Sequence, residues 1–325
     1  MSRDALLPVQ AAHQLPVLPE SQRWLVTDLW LDSAVGVVGG EPKCCKSFLG
    51  LDIAVSVASG TPCLRRYPVP TPGRVLLYAA EDALHIVRRR LEGICAAAHV
   101  SLTDLDVQVI TAATVRLDLP ADRHRLERTV ERLKPRLLIL DPFVRLHRID
   151  ENLSGEVAPL LAYLRELQRR YQLAVLLVHH AKKGGARIRA GQALRGSSEF
   201  HAWGDSNLYL RRIENELTLT IEHRAAPSLP PINLELVERG EALALQLRSD
   251  SLDPVAEVPP ASVHERILQA LRERDRPVPA AELRTLCPVR KATLYAQLQD
   301  LTRTGRIVSS PQGYRLAPAA TPTHG

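Results

Sequence analysis

The chain contains no apolar run approaching the roughly 18 residues that a membrane span requires, so no membrane-spanning segment is expected in its 325 residues. Its beginning, "MSRDALLPVQAAHQLPVLPE", lacks a basic stretch followed by an apolar core, which argues against export. Five cysteines, two of them adjacent, do not make a disulfide framework in a chain of this size. Internal repeats and low-complexity tracts are also missing. These absences together predict a cytoplasmic, reduced protein. What is present, 45% hydrophobic and 24% charged residues, is the composition of a soluble globular chain. The length suits one large core and a small second domain.

Charge is unevenly spread. Residues 261–325 hold ten Lys/Arg and five Asp/Glu, a net +5, whereas the other 260 residues hold 32 and 31, a net +1. The basic excess thus lies at the end of the chain, where it suggests a module facing nucleic acid.

Residues 1–22 carry prolines without periodicity and read as a poorly ordered lead-in. From residue 35, short apolar runs alternate with amphipathic stretches: "AVGVVG", "RVLLYA", "VQVI", "RLLILD" and "AVLLVHH". Between the last two, Val157, Leu160, Leu161, Leu164 and Leu167 share one helical face. Continuous apolar strands separated by such helices predict an α/β fold, a mostly parallel sheet covered on both sides. After residue 205, "NLYLRR", "ELTLTIEH", "NLELVE" and "LALQLR" predict antiparallel strands added to the sheet's edge. The expected domain spans 23–248. A polar, proline-rich linker follows at 249–262, then a small domain at 263–317 and a disordered tail at 318–325.

One further absence is local. "GGEPKCCKSFLGLD" has the spacing of a phosphate-binding loop, G-x-x-x-x-G-K-[ST], but Cys45 stands where the second glycine belongs. Gly40, Glu41, Pro42, Lys43, Cys44, Cys45, Lys46, Ser47 and the adjoining Phe48 form the candidate ATP-binding loop. A strand before it and a helix after it would aim bare N–H groups and the helix dipole at phosphates. Lys46 is expected to reach the β- and γ-phosphates and Ser47 to ligate Mg²⁺. That glycine can need a positive φ, so Cys45 is expected to be strained by about 1–3 kcal/mol in a working loop. Beside a helix N-terminus, the Cys44 and Cys45 thiols are also expected to ionise more readily.

Ligands in such folds sit at the carboxyl ends of strands, and each strand here ends in a reactive group. Glu81 is a candidate base for the attacking water, and Asp141 an outer partner of Mg²⁺. Either His179 or His180 is placed to sense the γ-phosphate. A carboxylate after a strand also serves as a plain helix cap, but several such groups in chain order after a P-loop favour catalysis.

From Gly39 to about Pro227 the sequence resembles a RecA-like ATPase, specifically the RepA-type hexameric replicative helicases of plasmids. The stretches that carry the likeness are "LDPFVRLHRIDENLSGEVAPLLAYL", "LLVHHAKKG" and "ALRGSSEF". The resemblance implies ATP and Mg²⁺ as cofactors, with Lys46, Ser47, Glu81, Asp141 and His180 in the roles just given. It implies that Arg195 is an arginine finger completing a neighbouring subunit's site, and hence a homo-oligomeric ring, a hexamer. The wider helicase superfamily carries a K-x-R pair on a later strand; Arg224 fits it but Glu222 replaces the lysine, which leaves Arg224 a second candidate.

Loops inside such a ring should contact single-stranded DNA, and "KKGGARIRAGQALR" offers Lys182, Lys183, Arg187, Arg189 and Arg195 without an acid. In the tail, Leu294, Leu298 and Leu301 share a helical face, and the order of elements resembles a winged helix-turn-helix. Arg290, Lys291, Thr293 and Tyr295 are the expected DNA contacts there, although winged helices also dock proteins. The leading expectation is an ATP-driven, DNA-associated motor for replication of a plasmid or mobile element, including unwinding of DNA. Two alternatives stand beside it: an ATP-dependent loader that does not unwind, and a nucleotide-switched DNA-binding regulator without turnover.

Overall fold

The computed structural model describes residues 9–15, 17, 19, 22–180, 199–248 except 215, 228, 240 and 241, 263–286 except 273 and 275, and 291–317. The chain divides into two units, residues 1–252 and 253–325. Among the described residues no helix is long and apolar enough to cross a membrane.

The first unit opens with a small hairpin, β1 (Trp24–Val26) and β2 (Trp30–Leu31). Strands of three and two residues carry no readable alternation, so this hairpin is not legible before the fold. The main sheet is built from β3 (Val35–Gly40), β4 (Val75–Ala79), β5 (Val107–Val109), β6 (Leu137–Asp141), β7 (Ala174–His180), β8 (Ser206–Ile213), β9 (Glu216–His223), β10 (Ile232–Arg239) and β11 (Ala242–Leu247). Its nine strands run in the order β11-β10-β9-β8-β3-β7-β6-β4-β5. The six from β8 to β5 are parallel; β9, β10 and β11 extend the sheet antiparallel beyond β8.

Helices α1 (Lys46–Ser59), α2 (Leu84–Ala98), α3 (Pro120–Leu133), α4 (Ser154–Tyr171) and α5 (Glu199–Trp203) cover the sheet. Strand side chains alternate between two cores. On one face Val38, Leu77, Ile139, Val178, Leu208 and Leu210 pack with Leu49 and Ile53 of α1 and Ile94 of α2. On the other, Val35, Val37, Leu138, Leu177 and Tyr209 pack with Phe143, Phe200 and the α4 stripe. The five α4 residues expected on one face are all buried. Each is worth about 1.5–3 kcal/mol when taken from water, enough to fix the helix on the sheet despite its charged outer side.

The second unit comprises α6 (Val263–Arg272), α7 (Ala280–Leu286), α8 (Lys291–Arg303) and a hairpin of β12 (Ile307–Ser310) and β13 (Gly313–Leu316). Leu294, Leu298 and Leu301 join Ile267, Leu271, Leu283 and Ile307 in its core. Val278 bridges Tyr314, which ties the segment before α7 to the hairpin. Gly313 is required there: at φ 134°, an added Cβ would lie 2.4 Å from the Val278 carbonyl oxygen.

Candidate functional site

The phosphate-loop sequence turns from β3 into α1 through two residues in the left-handed region, Lys43 at φ 64° and Cys45 at φ 66°. Cys45 caps α1 with ψ 23°. A glycine would adopt this geometry freely; cysteine holds it at a cost of about 1–3 kcal/mol. Gly40 is fixed by packing, because a Cβ there would sit 2.3 Å from the Leu210 carbonyl oxygen and 2.6 Å from Cys44 Sγ. The Lys46 ammonium donates to the Glu41 carbonyl at 2.8 Å and lies 3.8 Å from Cys44 Sγ.

Strand register brings the other residues to this loop. Gly40 is level with His180 on one side and Leu210 on the other, and Ala79 is level with Asp141. The period of two then selects the face. Asp141 follows Ile139, and His180 follows Val178, on the side where α1 packs. Together with Lys43, Cys44, Cys45, Lys46, Ser47, Phe48, Glu81, Asp82, Arg90 and Arg212 they line a cavity of about 390 Å³.

Within it the electrostatics are uneven. Burial pushes the Asp141 carboxyl up to about 6, against the opposing pull of the Ser47 hydroxyl that donates to it and of Lys46; Asp82 pushes the same way as burial. Glu81 accepts from Arg145 Nε at 2.7 Å and stays partly exposed. Asp82 pairs with Arg90, whose guanidinium stacks over the Phe48 ring at 5.1 Å.

Several expectations need correction. His179 does not reach the cavity: it is fully buried on the opposite face, stacked on Phe200 at 4.2 Å, with Nδ1 3.8 Å from Glu151. Adjacent strand residues face opposite ways, so the pair "HH" can supply only one residue to the site. Arg224 follows β9, which runs against β3, and so lies at the other end of the sheet from its own loop; this corrects a contact with its own subunit's ATP, and its second-candidate role was on a neighbour's site. Its guanidinium is 3.5 Å from Asp205, beside a separate cavity of about 470 Å³. Cys44 is buried, and burial raises its thiol pKa more than Lys46 lowers it, the reverse of the expected activation. Gly40, Glu41 and Pro42 shape the loop without lining the cavity; Glu41 contributes its carbonyl.

Lys182, Lys183, Arg187, Arg189, Arg195 and Arg290 lie outside the described residues, and only the helical backbone of Lys291 and Thr293 is described. Tyr295 is exposed on α8. Sequence reasoning missed Asp82, Arg90 and Arg212. The strand "NLYLRR" was recognisable, but nothing in it reveals that β8 lies beside β3 and ends at the loop.

A protein-family profile described as "AAA domain" matches residues 2–186. Among solved structures, the crystal structure of the RadB recombinase is similar at TM-score 0.49 and 16% identity, over 67% of this chain and 92% of that one. A structure described as a DnaB-like replicative helicase and its interactions with primase is similar at TM-score 0.51 and 13% identity, over 67% of this chain and 58% of that one. This chain therefore matches less than two thirds of that helicase. At such identity the likeness is one of fold, and the sheet is RecA-like.

Proposed function

The chain belongs to the AAA domain family, and from that premise we propose that it is an ATP-hydrolysing motor, acting on DNA as a hexameric ring in replication of a plasmid or mobile element. The observation that carries the reading is convergence. Lys46 and Ser47 after β3, Glu81 after β4, Asp141 ending β6 and His180 ending β7 meet at one cavity.

In this reading the loop's N–H groups and the α1 dipole bind the phosphates, and Lys46 exchanges its own loop's carbonyl for phosphate oxygens. Ser47 and Asp141 would hold Mg²⁺. Their fit is chemical: two oxygen groups already joined by a hydrogen bond from the Ser47 hydroxyl to Asp141, whose charge is disfavoured by burial and would be relieved by a cation. When bound, the ion would supply neutralisation of phosphate charge. Glu81 orients the attacking water, which requires it to leave Arg145, and His180 senses the γ-phosphate. Arg195 completes the neighbour's site, which is what makes a ring necessary.

The DNA contacts in this reading are Lys182, Lys183, Arg187 and Arg189 in the channel. In the second unit they are Arg290, Lys291, Thr293 and Tyr295, with that unit acting as a winged helix. Three helices and a hairpin with a basic balance support recruitment to duplex DNA. The same features also favour a second reading, a loader that turns over ATP without unwinding. The first test is the ATPase rate with and without single-stranded DNA; a rate that DNA leaves unchanged sinks the DNA-motor reading. Strand displacement on a forked substrate then separates motor from loader.

A further inference from the structure

Strand β8 outruns its neighbour. It pairs with β3 in parallel up to Leu210, level with Gly40, and continues through Arg211 and Arg212 to Ile213. Leu208 and Leu210 belong to the core on the α1 face, and Tyr209 to the opposite core. Alternation therefore carries Arg212 to the same face as His180 and Asp141, on β8 past the level at which β3 ends. There its Nη2 donates to Cys45 Sγ at 3.2 Å, and it lines the cavity with Lys46 and Asp141.

The cations of this cavity are held differently. Arg90 is paired with Asp82, while Lys46 rests on a backbone carbonyl. Arg212 rests on a thiol, and among the described residues it has no carboxylate partner. A thiol is a weak acceptor, whereas a guanidinium matches phosphate oxygens with two parallel donors. The contact also depends on the departure from the loop pattern, since a glycine at residue 45 would offer Arg212 no side chain.

We propose that Arg212 is a phosphate-binding residue of its own subunit's nucleotide site, held over the loop by the Cys45 side chain until a phosphate replaces it. The inference rests on reading the cavity as an ATP site. It adds a cation acting in cis, distinct from Arg195, which is proposed to act on a neighbour.

The test is titration of wild type, Arg212→Ala, Arg212→Lys and Lys46→Ala with fluorescent ATP, and competition by inorganic pyrophosphate, which reads phosphate contacts alone. Arg212→Ala should bind both ligands about ten-fold or more weakly, as expected for loss of a charge-assisted contact. Arg212→Lys should fall between it and wild type. Because the side chain is exposed, thermal unfolding should be unchanged. Wild type that binds ATP while Arg212→Ala binds ATP and pyrophosphate equally well overturns this inference alone. Wild type that binds no ATP overturns the nucleotide reading, and the inference with it. Mixing separates cis from trans: oligomers of Arg212→Ala with Lys46→Ala should show no recovered turnover. Recovery would mean that Arg212 serves a neighbour's site and would overturn the assignment.

Discussion

Where β3 begins, Asp205 accepts a hydrogen bond from the Val35 backbone at 3.2 Å and another from Arg165 Nη2 at 3.1 Å, while Asp32 pairs with Arg136 at 2.6 Å. Arg165 also meets the Trp203 carbonyl and ring, and Arg224 adds a second guanidinium 3.5 Å from Asp205. At the far end of the 6-residue β3, Lys46 rests on its own loop, Arg212 on a thiol, and Asp141 on a hydroxyl in a setting that disfavours its charge. The same sheet thus carries ion pairs completed within the chain at one end; the other has such pairs too, Glu81–Arg145 and Asp82–Arg90, but adds charges that await an external partner. Completed pairs of low exposure hold a structure together, although their net worth is modest; removing one partner is what costs. Incompletely partnered charges do little for stability and become useful when a charged ligand arrives.

That contrast predicts a crossing of effects. Asp205→Ala would leave Arg165 and Arg224 without their counter-ion and should cost about 2–4 kcal/mol of stability. ATP affinity at a temperature where the variant stays folded should not change. Lys46→Ala should do the opposite, weakening ATP binding about a hundred-fold or more while shifting the unfolding midpoint little. Denaturant unfolding and ATP titration on both variants measure this. If folded Asp205→Ala loses ATP binding, the two ends are coupled and the contrast fails.

Glu81→Gln sharpens the division within the cavity itself. Binding should stay near normal because Glu81 is not placed against the phosphates, while turnover should fall about 10²–10⁴-fold if it orients water. Normal hydrolysis by this variant would leave Glu81 as no more than the partner of Arg145.

How far each end was legible follows from what a sequence encodes. The runs at 75–79, 137–141 and 174–180 announce themselves because strands covered on both faces are apolar at every position. That same uniformity hides which face each residue takes. His179 and His180 therefore looked equivalent until the register of β7 with β3 separated them. The loop was readable from Gly40, Lys46 and Ser47, but Arg212 was not. Its place depends on β8 lying beside β3, a pairing of residues some 170 apart in sequence. The place of Arg224 was hidden for a related reason: strand direction decides which end of a sheet a residue occupies, and the antiparallel β9 carries it away from its own loop.

A smaller effect separates charge tolerated from charge stabilised. Burial pushes the Asp141 carboxyl up to about 6 in the folded protein, above the roughly 3.9 of an unfolded aspartate. The native state therefore holds its proton more tightly. The buried charge costs stability fully above about pH 6, and the cost fades as pH falls toward 4. Asp141→Asn, uncharged throughout, should exceed wild type by on the order of 1 kcal/mol at pH 7–8, discounted for partial exposure, and by nothing at pH 4. Its Mg²⁺-dependent turnover should be lost. A gain independent of pH would show that burial of this charge is not the cause.

The smallest effect expected is at Cys45, where the site's strain and its waiting cation meet. Cys45→Gly should relieve left-handed strain of about 1–3 kcal/mol. The glycine also enlarges the freedom of the unfolded chain, which takes back roughly 0.4–1 kcal/mol. The contact with Arg212 disappears as well, but a thiol acceptor facing an exposed guanidinium contributes little. The net should be a gain of about 0.5–1 kcal/mol, read as a rise of about 1–3 °C in Tm for a chain of this size. Cys45→Ser separates the terms: it keeps the Cβ and the strain while replacing the sulfur acceptor with oxygen, so it should show no gain. Should Cys45→Gly instead lose stability while Cys45→Ser matches wild type, the hold on Arg212 outweighs the backbone strain. The incompletely partnered end of the sheet would then be contributing to the fold, and the contrast between the two ends would narrow at the residue that departs from the loop pattern.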